Sequence, residues 1–214
     1  KPFFVFLSYY AVHNPMQAKE EHIRKFTMKA DSMGISDTET FTRNREWIKE
    51  SMSDNYKERI VHGNPVYAAM IYSVDENIGR LVKRLGDLNL DRNTIIIFTS
   101  DNGGLSTSEG SPTCNFPRRA GKGWLYEGGI RVPLIIKYNG SVESGTIRNN
   151  PVATIDIFPT IIDVTGSAGS KTTEGESLVP LFQGDRMKKR PLFWHYPHYS
   201  NQGAWPGSAI RLGR

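Results

Sequence analysis

The feature that most constrains the fold is an apolar run at residues 94–99, followed directly by Ser-Asp-Asn-Gly-Gly at residues 100–104. The run contains three consecutive isoleucines and a phenylalanine between turn-forming residues, which is typical of a buried strand in a mostly parallel sheet. In open α/β sheets, ligands bind beyond the carboxyl ends of the strands. The sequence therefore predicts that Asp101 and Asn102 lie at a binding crevice.

Asp101 and Asn102 have the side-chain chemistry of hard metal ligands. Their carboxylate and amide oxygens suit a divalent cation such as calcium better than a soft metal. Gly103 and Gly104 are expected to let the backbone turn away at once, through positive φ if needed. The same four residues are also typical of a simple turn, so this motif alone leaves both interpretations open.

Two other segments add candidate side chains. Residues 3–8 are apolar and predict a second buried strand, and His13 lies in the loop that follows it. Lys122 stands between two glycines, within the segment 121–133. A lysine ammonium is a compact charge for a tetrahedral oxyanion, and a histidine can donate a proton to a departing ester oxygen. Taken singly, each is more often an ordinary turn or surface residue.

Taken together, residues 100–104 and 121–133 resemble the sulfatases, the formylglycine-dependent sulfuric ester hydrolases of the alkaline phosphatase superfamily. The resemblance extends to residues 154–160 and 175–181. It implies an α/β fold, an alkaline-phosphatase-like and mostly parallel sheet flanked by helices, present here in part. It also implies an arylsulfatase-like enzyme whose substrate is a sulfate ester, either a sulfated carbohydrate or an aryl sulfate.

The resemblance implies a role for each matching residue. Asp101 and Asn102 match half of a site for one calcium ion. Lys122 matches the lysine that binds sulfate oxygens, and His13 matches the histidine that contacts the sulfate or the leaving-group oxygen, which makes both of them candidate catalytic and substrate-binding residues. His198, beside polar residues, is a further candidate for the substrate pocket, whereas His195 is expected in the core.

The family's formylglycine motif and first paired aspartates have no match in this chain. Cys114 precedes a proline by one position too many for that motif, so a structural or incidental role is expected. The resemblance implies that formylglycine and the other calcium ligands lie in an amino-terminal half of the same protein. The chain opens on Lys1 and enters a strand at once, so its real beginning is expected to lie upstream. The chain alone is expected to bind calcium weakly and to hydrolyse nothing.

Two alternatives stay open. The first is a phosphodiesterase or phosphonate-type hydrolase of the same superfamily, which shares the metal-binding Asp-Asn pair but uses a different nucleophile. The second is a non-catalytic fragment that binds ligands without turning them over. Proteins of this family are usually periplasmic or secreted, so the resemblance implies the same location here.

Charge and composition limit the classes of partner that this chain is expected to bind. The formal charge of +5 is spread along 214 residues without a basic stripe interleaved with aromatics, so no nucleic-acid partner is expected. No apolar run is long enough to span a membrane, and a single cysteine excludes an intrachain disulfide. Residues 1–190 are expected to be the carboxyl-terminal part of a sulfatase catalytic domain. Residues 191–214 are expected to begin a truncated carboxyl-terminal subdomain.

The remaining pattern predicts local elements. Apolar residues at three- and four-residue spacing predict a helix from residue 66 to a stop at Gly86. A second helix is predicted at 156–164, a strand at 132–138, and a long loop up to about Gly123. Residues 16–62, including a polar stretch around Asp37, are expected to be solvated, with short helices.

Overall fold

The structure, a computed structural model, describes residues 1–35, 40–42, 56–168 and 173–213. The polar stretch around Asp37 lies outside the described residues. Contacts divide the chain into two units, the first made of Lys1–Asn89, Ser100–Val132 and His198–Pro206, and the second of Leu90–Thr99, Pro133–Pro197 and Gly207–Arg214. The boundary between residues 190 and 191 stays a prediction.

The first unit contains the long helix α2 (Pro65–Asp87), which confirms the helix predicted from residue 66. Asn64 caps it, because its side chain accepts a hydrogen bond from the Tyr67 N–H at 3.0 Å, and Pro65 occupies the first turn, where a missing N–H costs nothing. The helix continues one residue past Gly86, the predicted stop. Among the described helices, none is long and apolar enough to cross a membrane.

Helix α1 (Glu20–Ser32) packs against α2 within the first unit. Its His22 is buried, with Nδ1 at 3.1 Å from the Ser73 hydroxyl and its ring edge-on to Tyr72 at 4.8 Å. The predicted solvated stretch therefore contains a helix with a buried face. The unit also contains a short antiparallel pair, β1 (Phe41–Thr42) with β2 (Glu58–Arg59), and the single-turn helix α3 (Glu127–Ile130).

The prediction of a buried strand at residues 3–8 is wrong. They form no strand, and the side chains of Phe3 to Leu7 are between 51% and 79% exposed. A strand forms only where a neighbouring segment pairs with its N–H and C=O groups, and within the described chain none pairs with this one. The apolar pattern identified a segment suited to burial but not whether a partner lies beside it.

In the second unit, β3 (Ile96–Thr99) pairs with β4 (Leu134–Lys137), so both predicted strands are present. The pairing is antiparallel, with Ile97 opposite Ile136, whereas a parallel neighbour was expected. Phe98 is also 37% exposed, so the strand is not fully buried. A run of β-branched residues indicates burial but carries no information on the direction of the neighbouring strand.

Helix α4 (Ile157–Thr165) confirms the predicted second helix, and it ends at Gly166, whose φ of 62° suits the left-handed cap. Its neighbour α5 (Val179–Phe182) contributes to a core of Leu178, Leu181 and Phe182, against which Ile95, just before β3, and the β4 side chains of Leu134 and Ile136 pack. The strands β5 (Pro191–Tyr196) and β6 (Gly207–Leu212) form a separate antiparallel pair.

Candidate active site

The Asp-Asn-Gly-Gly motif and the glycine-rich segment around Lys122 lie backbone to backbone within the first unit. The Gly103 N–H donates to the Gly129 carbonyl at 2.8 Å, and the Lys122 N–H donates to the Gly104 carbonyl at 3.0 Å. Between residues 100 and 126 the chain has no helix or strand, as the predicted long loop requires. These backbone bonds therefore hold Lys122 against the motif.

The glycines serve close approach rather than unusual backbone angles. A Cβ on Gly103 would lie 1.7 Å from the Gly128 carbonyl oxygen, and one on Gly121 would lie 2.2 Å from that of Gly104. Neither Gly103 nor Gly104 has a positive φ, so the chain passes these two residues without the left-handed conformation that glycine allows. What they provide is space, because real Cβ atoms are not found this near a backbone atom.

Asn115 holds the two segments together from one side. Its Nδ2 donates to the Gly104 carbonyl at 2.7 Å and to the Ala120 carbonyl at 2.9 Å. The same Gly104 oxygen also accepts the Lys122 N–H, so both of its lone pairs are used. The backbone of Lys122 is thus placed by a side chain that lies outside both sequence motifs.

His13 and Lys122, 109 positions apart, meet in the folded chain, where Lys122 Nζ lies 3.1 Å from His13 Nε2. His13 Nδ1 lies 2.9 Å from the carbonyl oxygen of Asn14, which can only accept, so the ring proton is on Nδ1. Nε2 therefore carries the lone pair and accepts a hydrogen bond from the Lys122 ammonium. The two predicted catalytic side chains form one pair.

Asp101 and Asn102 follow β3 in the chain. Asp101 is exposed, with one carboxylate oxygen 3.5 Å from the Ser100 hydroxyl. Asn102 is partly buried, and its Nδ2 donates to the Gly103 carbonyl at 2.9 Å. With its NH₂ group used in this way, the amide of Asn102 has its oxygen left for another partner.

Comparison with known proteins decides the family, because residues 1–167 match the family model for sulfatases. The chain belongs to the sulfatase family. A sulfatase of Formosa agariphila is 36% identical over 165 residues, which are 70% of this chain and 29% of that protein. The sulfatase chain therefore spans less than a third of the length of this relative.

Two solved structures support the fold. The crystal structure of Ps i-CgsB in complex with k-i-k-neocarrahexaose is 30% identical, with a TM-score of 0.71 over 99% of this chain and 40% of that one. The phosphonate monoester hydrolase of Agrobacterium radiobacter is 25% identical, with a TM-score of 0.54 over 69% of this chain and 31% of that one. The sulfatase chain is thus part of an alkaline-phosphatase-like α/β fold, as predicted.

The described residues fit part of a calcium site. Asp101 and Asn102 offer hard oxygen ligands, which calcium prefers. Within the described ranges, however, no group of three or more His, Cys, Asp or Glu side chains lies close enough to hold a metal. Calcium takes about six to eight oxygens, so these two residues supply only a fraction of such a shell.

The remaining sequence candidates are differently placed. His198 is exposed and belongs to the first unit, two residues before the buried Ser200. His195 is exposed on β5, with Nδ1 at 2.8 Å from the Ser208 hydroxyl, so its expected place in the core is wrong. Leu192 is the one buried residue of the described two-stranded sheet that carries His195. Cys114 is buried, and its sulfur accepts the Phe116 N–H at 3.3 Å.

The segment that contains His198 packs beside the residues that follow Lys122. The Trp124 indole N–H donates to the Gln202 carbonyl at 3.0 Å. A Cβ on Gly123, whose φ is 87°, would lie 2.4 Å from the Ser200 hydroxyl oxygen. His198 is therefore on a segment that is fixed to the loop of Lys122.

Two residues near the site were missed by sequence reasoning. Glu109 accepts from Asn201 at 2.9 Å and from Gln202 at 2.8 Å through one carboxylate oxygen, and its backbone carbonyl accepts from Asn14 Nδ2 at 3.2 Å. Tyr10 donates its hydroxyl to the Asn14 carbonyl at 2.6 Å. Neither belongs to a pattern that could have identified it, because their partners are set by long-range folding.

Proposed function

We propose that this sulfatase chain is part of the catalytic domain of a sulfuric ester hydrolase in which Lys122 and His13 hold and process the sulfate group. The observation that carries the proposal is the 3.1 Å separation of Lys122 Nζ and His13 Nε2. A charged donor beside a ring nitrogen that can take up a proton suits the sulfate group and the leaving-group oxygen of one sulfate ester. Both side chains are at least partly exposed, so a substrate can reach them.

The chemistry assigns each side chain a distinct role. The Lys122 ammonium is a compact cation that offers hydrogen bonds to negatively charged sulfate oxygens. His13 Nε2 is unprotonated, so it can take up a proton from solvent and then donate it to the leaving-group oxygen. Because Lys122 is hydrogen-bonded to that same nitrogen, the proton-accepting atom and the sulfate-binding charge lie next to each other.

The proposal extends to a calcium ion and a second part of the protein. Asp101 and Asn102 are proposed to supply two of its oxygen ligands, and the bound ion would neutralise charge on the sulfate group. The other ligands and the formylglycine are proposed to come from an amino-terminal half of the same protein. The short share of the Formosa agariphila sulfatase that this chain spans supports this division.

The proposed substrate is a sulfated carbohydrate or an aryl sulfate, with His198 in the pocket wall. The similarity to Ps i-CgsB, solved in complex with a neocarrahexaose, supports a carbohydrate. The proposed location, from the family, is the periplasm or the outside of the cell.

The first experiment measures sulfate release from 4-nitrophenyl sulfate and from a sulfated oligosaccharide. It compares this chain alone with the chain joined to its amino-terminal half in a host that forms formylglycine. We expect no turnover by the chain alone and turnover by the joined protein. Lys122→Ala is expected to lower kcat/KM by roughly 100- to 1,000-fold, the usual cost of removing one preorganised donor to a developing oxyanion. The matched control Lys188→Ala removes an exposed lysine and is expected to change nothing.

Three results would contradict the proposal. Equal activity of the Lys122→Ala and Lys188→Ala proteins would exclude the proposed role of Lys122. A preference for an aryl phosphonate ester over the sulfate esters would favour a phosphonate hydrolase, like the Agrobacterium radiobacter enzyme whose structure this chain resembles. Tight calorimetric binding of calcium and a sulfated sugar by this chain alone, with no turnover in the joined protein, would identify a binding fragment.

A further inference from the structure

Tyr10 and His13 share one hydrogen-bond acceptor. The Tyr10 hydroxyl donates to the Asn14 carbonyl oxygen at 2.6 Å, and His13 Nδ1 donates to the same oxygen at 2.9 Å. The two rings lie 5.3 Å apart, and the Asn14 side chain is itself tied to the Glu109 carbonyl at 3.2 Å. Both lone pairs of the Asn14 carbonyl are therefore used.

This arrangement determines which ring nitrogen of His13 carries the proton. A neutral imidazole has two tautomers, and the one that forms depends on the partner of each nitrogen. The Asn14 carbonyl accepts only, so as long as it stays beside Nδ1 it favours the Nδ1–H tautomer. The Tyr10 hydroxyl holds that carbonyl in place.

We propose that Tyr10 is a positioning residue that keeps His13 in the Nδ1–H tautomer, so that the lone pair of Nε2 is presented to the Lys122 ammonium. The importance of this tautomer for catalysis rests on the proposed function. The tautomer itself does not, because it follows from hydrogen bonds within this chain.

The structure separates this role from a purely structural one. Tyr10 is 68% exposed, so its ring adds little to any core. The turn that it begins is closed by a backbone bond, from the His13 N–H to the Tyr10 carbonyl at 2.9 Å, which Tyr10→Phe retains. Loss of the hydroxyl therefore removes the bond to Asn14 and leaves the turn intact.

The test is nuclear magnetic resonance of the 214-residue chain with ¹⁵N-labelled histidine, which distinguishes protonated from unprotonated ring nitrogens. His13→Gln identifies the His13 signals among those of the five histidines. We expect the Nδ1–H tautomer of His13 in the wild-type chain. In Tyr10→Phe, the ratio of the Nδ1–H to the Nε2–H tautomer is expected to fall about two- to ten-fold, equivalent to one hydrogen bond.

The matched control is Tyr9→Phe, because within the described part of the chain the Tyr9 hydroxyl has no hydrogen bond, and it is expected to leave the ratio unchanged. The signals of His22, buried between α1 and α2, report whether each variant is folded. An unchanged ratio in folded Tyr10→Phe would overturn the proposal. Should that variant fail to fold, an Nε2–H tautomer in the wild-type chain would overturn it instead, and an Nδ1–H tautomer there would support it.

The outcome is independent of the sulfatase assay. A joined protein without turnover would refute the proposed function and leave the tautomer result standing. Where turnover is found, Tyr10→Phe is expected to lower kcat/KM in proportion to the fall in the fraction of His13 in the Nδ1–H tautomer, which is at most the factor by which the tautomer ratio falls.

Discussion

Replacing Gly121 with alanine tests how closely the two backbone segments pack at the site. The new Cβ would lie 2.2 Å from the Gly104 carbonyl oxygen, which is 1.2 Å short of the 3.4 Å where ordinary contact begins, and 2.7 Å from Asn115 Nδ2 and Ser106 Oγ. Withdrawal of the Gly104 carbonyl would break the bonds it accepts from the Lys122 N–H at 3.0 Å and from Asn115 at 2.7 Å. Each bond contributes about 1 kcal/mol, and overpacking adds about 1–3 kcal/mol, so the expected loss is about 3–5 kcal/mol.

The assay is urea unfolding of the 214-residue chain, with the free energy of unfolding extrapolated to water. Gly79→Ala is the matched control, because Gly79 lies within α2 and a Cβ there would meet nothing within 4 Å. It is expected to stabilise the chain by about 0.5–1 kcal/mol, since alanine is the better helix former. Opposite signs for the two substitutions support the packing. A loss below about 0.5 kcal/mol for Gly121→Ala, the usual size of a neutral surface change, would refute it.

Two further predictions concern stability. The carboxylate of Asp156 is fully buried and pairs with Arg190. Asp156→Ala is therefore expected to lower the free energy of unfolding by about 3–5 kcal/mol. The control Asp163→Ala, at a solvent-exposed position of α4, is expected to lower it by less than about 1 kcal/mol. Equal losses in urea unfolding would exclude the buried pair. Burial raises the pKa of Tyr67 above its ordinary value of 10.0, so the folded chain holds the hydroxyl proton more tightly than the unfolded chain does. The free energy of unfolding is therefore expected to fall as the pH rises above 10.0 towards the raised pKa. Tyr67→Phe should flatten this part of the curve, and an unchanged slope would contradict the assignment.

Local sequence patterns predicted the helices and the candidate site residues whose signals lie within one short segment. The repeat and the cap of α2 lie within one segment, as does the glycine that ends α4, so both helices were predictable. Asp101, Asn102 and Lys122 were identified because short motifs carry their chemistry. The family followed from the same motifs.

Contacts between distant segments decided the rest. The antiparallel direction of β3, the exposure of His195 and the absence of a partner strand for residues 3–8 within the described ranges depend on which segment lies alongside, and apolar patterning does not encode this. Tyr10 and Glu109 stand in no motif, because their hydrogen-bond partners come from other loops.

The sequence by itself determined that this chain belongs to the sulfatase family and which side chains are its candidates for chemistry. Only the tertiary structure decided that His13 and Lys122 meet and which ring nitrogen of His13 is unprotonated. The physical reason is that the 3.1 Å between them depends on glycines packed against backbone carbonyls and on one shared carbonyl of Asn14. Those contacts join residues far apart in the chain, and no local pattern specifies them.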